Sequence, residues 1–354
     1  MRLGVLALVA ACSGEPAQHQ ITEPGDLLTD DGRVREAGWS PRQLLQWDPA
    51  RVADPTRLRQ WDFVTVLDER AAVNLALVDL GFLRVATVGA VDLATGEKSD
   101  SVFIAGPADA FVLSGALEGT ASLTPAGAAT PVARFESGAE SSTFTVDIAF
   151  AHVGPPASGA LTLRRRATMP YLSLVTPFAD EPQQFFFEQK VPGMVADGTL
   201  TAGGRSFTFS GATAVIDWGR GQWPSQVTWR WAAASGVVDG VPLALNLGEG
   251  FGDASAATEN LLVLGDVAHK LGEVGWSYDR ADPTRDWTFR SDDGRVDLVL
   301  EPIAPEVGGI ELGSKFQRVF KAYGRWRGAL VLDDGRRVAV DGLLGFAENV
   351  DLSW

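Results

Sequence analysis

Residues 215–231, VIDWGRGQWPSQVTWRW, bring an acid, a base and several indoles into one short run. Asp217 and Arg220 stand among glycines there, with four of the chain's 11 tryptophans. These tryptophans are Trp218, Trp223, Trp229 and Trp231. An Asp beside indole rings loses hydration, which raises its pKa and suits it to act as a general acid near neutral pH. Indole faces also stabilise cations. The combination is suited to protonating an alkene and then hydrating or cyclising the carbocation.

The same residues have a structural interpretation. In it, an Asp217–Arg220 ion pair would fix a β corner and the tryptophans would belong to the core. Acids paired to arginine usually have such a structural role. A third interpretation has the pair and the four tryptophans orient a bound ligand. Glycines at 219 and 221 fit each alternative, since they allow a sharp turn or the close approach of another group.

A second polar group follows in NLGEGFGDASAATEN, residues 246–260. Glycines 248, 250 and 252 share the predicted strand face of Asn246, which leaves space for a ligand or for a tightly packed chain segment. Asn246, Glu259 and Asn260 are predicted to line that space as hydrogen-bonding groups. The alternative is a glycine-rich bulge and loop closing a barrel, with Asn260 capping a turn.

Glu348, near the predicted last strand, is expected to face Asp217 across the seam between two domains. Two facing carboxylates also suit glycoside hydrolysis, and tryptophans stack on sugars as well as on isoprenoids. The three histidines are His19, His152 and His269. They are too scattered to predict a zinc site, and no nucleophile elbow marks a Ser-His-Asp triad. We expect no metal and no organic cofactor.

Strands must position these residues, because apolar and polar residues alternate along much of the chain. In STFTVDIAFA, Phe144, Val146, Ile148 and Phe150 fall on one predicted face. Asp-Asp-Gly-Arg occurs three times, starting at residues 30, 292 and 333, and Asp-Gly favours tight hairpin turns. GALVLDDGRRVAVDG is therefore a predicted hairpin.

Helical periodicity is scarce. A short helix is predicted in SPRQLLQWDPARV, capped by Ser40 with Pro41 at its first position, and another turn in PTRLRQWDF. The pattern predicts an all-β protein of two antiparallel β-barrels or sandwiches with few short helices. The predicted division is a leader and tether over residues 1–20, an N-terminal β domain over 21–210, and a C-terminal β domain over 211–354.

The first residues, MRLGVLALVAACSGEPAQHQ, resemble a bacterial lipoprotein signal in which residues 9–12 form the lipobox. The resemblance implies that Cys12 is lipidated and that the protein is anchored in the cell envelope. Ser13 after the cysteine favours the outer membrane, with the domain facing the periplasm. A formal net charge of −15 argues against nucleic-acid binding and against a polybasic membrane patch. Membrane contact is expected only through the anchor.

The motifs FEQKVPGM, DWGRGQWP, LNLGEGFGD, TEN, HKLGEV and GFAENVDLSW, in this order, resemble the bacterial family known as domain of unknown function 2804. The early segments ITEPGDLLTDDGRVREAGWS and WDFVTVLD fit its N-terminal part. The resemblance covers nearly the whole chain after the leader. It implies no settled biochemical function.

A fainter resemblance is to the double-lipocalin group, which includes carotenoid hydratases, kievitone hydratase and lipocalin-like Diels–Alderases. It implies two lipocalin-like (calycin-type) barrels, a hydrophobic ligand and no cofactor. Those proteins carry Asp-His-x-Trp-Gly where residues 217–221 read Asp-Trp-Gly-Arg-Gly. The Asp and the Gly correspond, but no histidine is present, so the group's proton-transfer pair does not carry over.

Three functions follow from these patterns. The first is an anchored protein that binds a hydrophobic or amphipathic small molecule or lipid at a Trp-lined joint between two barrels. The second is a cofactor-independent hydratase or cyclase with Asp217 as general acid and an isoprenoid-like or lipid substrate. The third is a glycan-acting enzyme. The sequence leaves open whether any reaction is catalysed and what the oligomeric state is.

Overall fold

The computed structural model describes residues 18–353 except Asp180; the side chains of Ile310 and Leu312 are also outside the description. The predicted lipobox and Cys12 lie outside the described residues. Within the described part, strands dominate and helical structure is confined to two short 3-10 turns, Pro49–Arg51 and Pro55–Arg57. No helix in this part is both long and apolar enough to cross a membrane.

The first half of the chain contributes fifteen strands. They are β1 (Gly25–Asp26), β2 (Gly38–Ser40), β3 (Leu45–Gln46), β4 (Leu58–Leu67), β5 (Ala71–Asp79), β6 (Arg84–Asp92), β7 (Lys98–Ile104), β8 (Ala110–Val112), β9 (Gly119–Thr124), β10 (Ala133–Ser137), β11 (Ser141–Ile148), β12 (Ala157–Arg164), β13 (Leu172–Phe178), β14 (Glu181–Ala202) and β15 (Arg205–Gln222). Thirteen of them form one curled antiparallel sheet in the order β7-β6-β5-β4-β15-β14-β12-β11-β10-β9-β8, with β13 on β14 and β2 on β13. Strands β1 and β3 pair separately.

The second half builds a nine-stranded antiparallel sheet in the order β19-β18-β17-β16-β24-β23-β22-β21-β20. Its strands are β16 (Gln226–Val238), β17 (Val241–Glu249), β18 (Leu261–Leu264), β19 (Val267–Lys270), β20 (Val274–Ser277), β21 (Trp287–Ser291), β22 (Val296–Leu312), β23 (Lys315–Val331) and β24 (Arg337–Ser353). The architecture is all-β, with two curled antiparallel half-barrels, as the alternation predicts.

Each sheet curls around an apolar core of its own, and the outer faces of β4, β14 and β15 pack against those of β16, β17 and β24 along a seam. The change of sheet lies between Gln222 and Gln226. The domain boundary predicted between residues 210 and 211 falls inside β15, which pairs with β14 from Arg205 to Gln222 and with β4 from Thr213 to Gln222.

Several local predictions are confirmed. Phe144, Val146 and Ile148 are buried on one face of β11, while Phe150 lies beyond its end and is exposed. The Asp-Gly hairpin joins β23 to β24, and Gly335 at its turn has a φ of +81°. That left-handed backbone is what glycine allows.

The predicted helix after Ser40 is wrong. Ser40 ends β2, which pairs with β13, and its hydroxyl donates to the carbonyl oxygen of Arg42 in a turn. Leu45 and Trp47 are buried while Gln46 between them is exposed, so the segment follows the period of a strand. The weaker prediction of a turn in PTRLRQWDF is confirmed by the 3-10 turn Pro55–Arg57, after which β4 begins.

Candidate active site

Asp217 and Arg220 lie on opposite faces of β15, because successive side chains of a strand alternate. Asp217 faces the seam, where its Oδ2 lies 2.9 Å from Lys190 Nζ. Arg220 faces the interior of the first sheet, where its Nη2 lies 2.7 Å from Asp62 Oδ1. An Asp217–Arg220 ion pair, the structural alternative in the sequence analysis, is therefore wrong.

The guanidinium of Arg220 is wholly buried and holds several chain segments together. Its Nη1 donates to the carbonyl oxygens of Trp61 at 2.6 Å and Gly219 at 2.9 Å, and its Nη2 donates to that of Ser114 at 2.8 Å. It packs 4.0 Å over the ring of Trp218. Arg220 and Trp218, both predicted to bind ligand, thus belong to the core of the first sheet.

Four charged side chains meet at the seam around one ammonium group, and we call Glu188, Lys190, Asp217 and Glu259 the acid–lysine cluster. Lys190 Nζ lies 2.9 Å from Asp217 Oδ2, 3.3 Å from Glu188 Oε2 and 3.5 Å from Glu259 Oε1. Lys190 and Asp217 are cross-strand partners on β14 and β15, whereas Glu259 comes from the loop before β18. The cluster therefore links the two half-barrels.

Three carboxyl groups share one ammonium in this cluster, and burial makes a full set of negative charges costly. Burial, aided by the neighbouring acids, raises the pKa of Glu188 well above 4.5, and burial also raises that of Glu259. Burial by itself lowers the pKa of Lys190, but the three carboxyls outweigh it and the pKa lies above 10.5. The cluster is thus built to keep a proton on a glutamate while the lysine stays charged.

Trp231 and Asn246 complete one side of the cluster. Lys190 Nζ lies 4.2 Å from the centre of the Trp231 ring, whose Nε1 donates to Asn246 Oδ1 at 2.8 Å. Asn246 Nδ2 donates to the carbonyl oxygen of Glu259 at 2.8 Å. Gly248 is required beside them, because a Cβ at this position would overlap the Glu259 carboxylate. The space that the glycine leaves is filled by the chain's own acid.

Asn260 has a backbone role. Its Oδ1 accepts from the amide of Gly248 and its Nδ2 donates to the carbonyl oxygen of Gly272, both at 2.8 Å. Lys270 Nζ donates to the carbonyl oxygens of Thr258 at 2.6 Å and Asn260 at 2.8 Å. Together these bonds fix the segment that carries Glu259.

Glu348 lies directly opposite Trp231 in the pairing of β16 with β24. Its Oε2 is 3.1 Å from Lys321 Nζ, and its Oε1 accepts from Trp229 Nε1 at 3.4 Å. The acid–lysine cluster and this second pair therefore both adjoin Trp231. About a tenth of the Asp217, Glu259 and Glu348 side chains stays accessible, at 10, 12 and 12%.

Aromatic rings pack edge to face beside this group and form what we call the aromatic wall. Its members are Trp61, Phe178, Phe186, Trp223, Trp229 and Phe251. A Cβ on Gly219 would overlap the ring of Trp61, and one on Gly221 would overlap Trp223 Nε1 and the carbonyl oxygen of Phe185. The two glycines of DWGRGQW therefore make room for indoles.

The seam itself is closely filled. A cavity of about 20 Å³ lies there, lined in part by Pro192, Thr213 and Ala233, which is room for about one water molecule. Trp223 and Trp231 are only 3% exposed. These two rings pack on protein groups and present no open platform to a sugar.

The sequence predicted that Glu259 lies beside Asn246 and that Glu348 faces Asp217. The structure joins Asp217, Asn246 and Glu259 through Lys190 and Trp231, and it places Glu348 opposite Trp231, paired with Lys321. The sequence analysis did not identify Glu188, Lys190 or Lys321 as site residues. The signal for the first two was present, since FEQKVPGM places an acid and a base two residues apart on a strand. Only strand pairing shows that they face Asp217.

Comparison with solved structures gives the same architecture. CghA superposes with a TM-score of 0.54 at 14% identity, covering 94% of this chain and 98% of that one. CghA with Sch210972 gives 0.52 at 14% identity, covering 92% and 98%. Kievitone hydratase from Nectria haematococca gives 0.49 at 11% identity, covering 84% and 88%. The likeness to CghA is one of fold, and the predicted architecture of two lipocalin-like half-barrels is confirmed at that level.

Among the curated proteins, none matches this sequence. The family description that does match is a domain of unknown function, and it covers residues 18–354. This range includes every strand and each residue of the acid–lysine cluster. The chain therefore belongs to the DUF2804 family.

Proposed function

We propose that the protein is an acid–base catalyst that adds water to, or cyclises, an unsaturated hydrophobic small molecule at the seam. The observation that carries the proposal is the acid–lysine cluster, in which three buried carboxyls share one ammonium beside an indole face. Buried carboxyls with perturbed pKa values cluster at functional sites.

Within this proposal Glu259 is a better proton donor than Asp217. Asp217 makes the shortest ion pair with Lys190, whereas burial raises the pKa of Glu259, and a protonated carboxyl is what a general acid needs. Glu188 is wholly buried, so we give it the role of a proton store behind the two partly accessible acids.

Water is the only co-reactant that the proposed hydration needs. The Glu259 proton goes to one alkene carbon, and the π electrons form the new C–H bond. The cation on the neighbouring carbon is stabilised by the half-buried indole faces of Trp61 and Trp229. A water oxygen bonds to that carbon and loses a proton to the carboxylate of Glu348, from which the proton returns through water to Glu259.

We place the substrate against the half-buried rings of Trp61, Trp229 and Phe251, which are the accessible part of the aromatic wall. Ring faces stabilise the cation there. Trp229 Nε1 donates to Glu348, the carboxyls of Glu348 and Glu259 are each 12% exposed, and the proposal requires both acids to reach a substrate on this surface. A substrate with an isolated or conjugated double bond and little polarity fits this lining.

The proposal is tested with isoprenoid alcohols and polyenes incubated in water enriched in ¹⁸O, with mass spectrometry of the products. We expect the protein to add labelled oxygen and Glu259→Gln to lower the rate about a hundredfold or more. The matched control is Glu249→Gln, an acid on β17 that pairs with Arg230 at 2.7 Å and is half-exposed.

A comparison of Asp217→Asn with Glu259→Gln shows which of the two side chains is the general acid. If Asp217→Asn abolishes turnover while Glu259→Gln retains it, Asp217 is the acid, as the sequence suggested. If both variants keep the rate of the parent protein, the cluster is structural and the proposal is wrong.

We also propose, from the sequence alone, that the protein is a lipoprotein of the bacterial envelope. Lipid chains attached at Cys12 anchor a protein stably when two or more are present. We expect the full-length protein expressed in a bacterium to incorporate labelled palmitate and to sediment with the membrane fraction. Cys12→Ser should lose the label and remain in the supernatant, and a labelled Cys12→Ser protein would contradict the proposal.

A further inference from the structure

A large groove lies apart from the acid–lysine cluster, where loops of the first half-barrel face the β18–β19 hairpin of the second. It is open to solvent on one side and has a volume of about 1500 Å³, which is ample for a drug-sized molecule. The first half-barrel contributes residues 41–47, 114–118 and 167–171, and the second contributes residues 266–268. None of the four residues of the acid–lysine cluster lines it. We propose that this groove binds an amphipathic organic carboxylate.

The walls of the groove suit an apolar body. Trp39, Trp47, Met169 and Tyr171 all line it, and each is buried at 7–9% exposure while still contributing surface to the groove. Leu44 and Leu117 add aliphatic surface. Aromatic and thioether side chains adapt well to a flat or extended hydrocarbon.

The charges that line the groove favour an anion. The cations are Arg42 and Arg165, and the carboxylates are Glu118, Asp266 and Asp333. Lys270 also lines the groove, but its Nζ is taken up by the carbonyl oxygens of Thr258 and Asn260, and burial lowers its pKa well below 10.5. Two of these carboxylates are engaged by cations outside the lining. Asp266 pairs with Arg166 at 2.9 Å, and Asp333 pairs with Arg295 at 2.5 Å and with His269 at 2.9 Å.

Glu118 is then the carboxylate left to balance the two arginines, and it lies 3.7 Å from Arg165. The groove is therefore electropositive in a chain whose formal net charge is −15. Such a local reversal of sign attracts an anionic ligand and repels a cationic one.

Hydrogen bonds hold the groove in shape before any ligand arrives. The backbone amide of Gln43 donates to the hydroxyl of Tyr171 at 2.9 Å, and the side-chain Oε1 of Gln43 accepts from the backbone amide of Leu117 at 2.9 Å. Arg165 packs 5.0 Å over the ring of Tyr171, with only 5% of its side chain exposed. Walls that are already ordered cost little entropy on binding.

The experiment uses cis-parinaric acid, a fluorescent polyene carboxylic acid, and its uncharged methyl ester as probes. We expect saturable binding of the acid, with an affinity about tenfold weaker in Arg42→Gln and again in Arg165→Gln. The ester should bind more weakly than the acid and respond to neither substitution. Arg134→Gln is the matched control, because Arg134 is an exposed residue of β10 paired with Glu136.

A second variant separates binding in the groove from binding elsewhere. Ala167 lines the groove and is exposed, so Ala167→Trp should fold and weaken binding of the acid by placing an indole on the groove wall. The proposal is overturned if the parent protein shows no saturable binding, if acid and ester bind alike, or if Ala167→Trp binds as tightly as the parent. These outcomes leave the catalytic proposal untouched, because that proposal rests on other residues.

Discussion

Lys190→Met is expected to destabilise the protein by about 3–5 kcal/mol, since removing one partner of a buried ion group leaves uncompensated charge. Three carboxyls lie within 3.5 Å of its ammonium, and the lysine side chain is only 5% exposed. The methionine roughly conserves the side-chain length, so the loss comes mainly from charge. Chemical denaturation followed by tryptophan fluorescence measures it.

The pH dependence gives this prediction a definite sign. The folded-state pKa of Glu188 is raised, so the native protein binds more protons than the unfolded chain above pH 4.5, and its stability falls as the pH rises through that window. Without Lys190 the carboxyl pKa values rise further, so the loss should be small in acid and largest at neutral pH. The pKa of Lys190 is itself raised, so its favourable contribution is fully present below pH 10.5 and its own titration does not affect the neutral range.

Lys98→Met is the matched control. Lys98 lies 3.7 Å from Glu306 and is 28% exposed, so its removal should cost less than about 1 kcal/mol. Equal losses in the two variants, or a loss at Lys190 that does not change with pH, would contradict the buried-charge interpretation of the acid–lysine cluster.

The fold was predictable because a single period dominates the sequence. Phe144, Val146 and Ile148 alternate with polar residues, and Asp-Gly turns separate the strands, so local rules agree with the tertiary structure. The exception was the segment after Ser40, where a good helix cap competes with pairing to β13. Tertiary hydrogen bonds decided that case.

The site was only partly predictable, for a geometric reason. Alternation separates Asp217 from Arg220, and this could have been read from their odd spacing. What no local pattern supplies is the partner across the strands, such as Lys190 opposite Asp217 or Trp61 opposite Gly219. The glycines were recognised as places of close approach, but whether a ligand or the chain's own indole approaches depends on register between distant strands.

Arg220→Met is the second substitution expected to have a large effect, again about 3–5 kcal/mol. The substitution leaves Asp62 buried without its cation, and the carbonyl oxygens of Trp61, Gly219 and Ser114 lose their donors. Burial already raises the pKa of Asp62 while Arg220 opposes that shift, so the variant should be most destabilised at neutral and higher pH. Thermal and denaturant unfolding measure the change.

The double variant Arg220→Met with Asp62→Leu shows how much of that loss is unpaired charge. It should recover part of the stability and most of the pH dependence, but not all, because the three carbonyl oxygens remain without their donors. If the double variant is no more stable than Arg220→Met, the lost donors to the carbonyl oxygens and the lost packing over Trp218, rather than unpaired charge, explain the loss. Ser114, whose carbonyl oxygen accepts from Arg220, lines the groove. Arg220→Met should therefore also weaken the binding of cis-parinaric acid, whereas Lys190→Met should leave that binding unchanged. The two buried cations lie on opposite faces of neighbouring strands, and each supports a different proposed site.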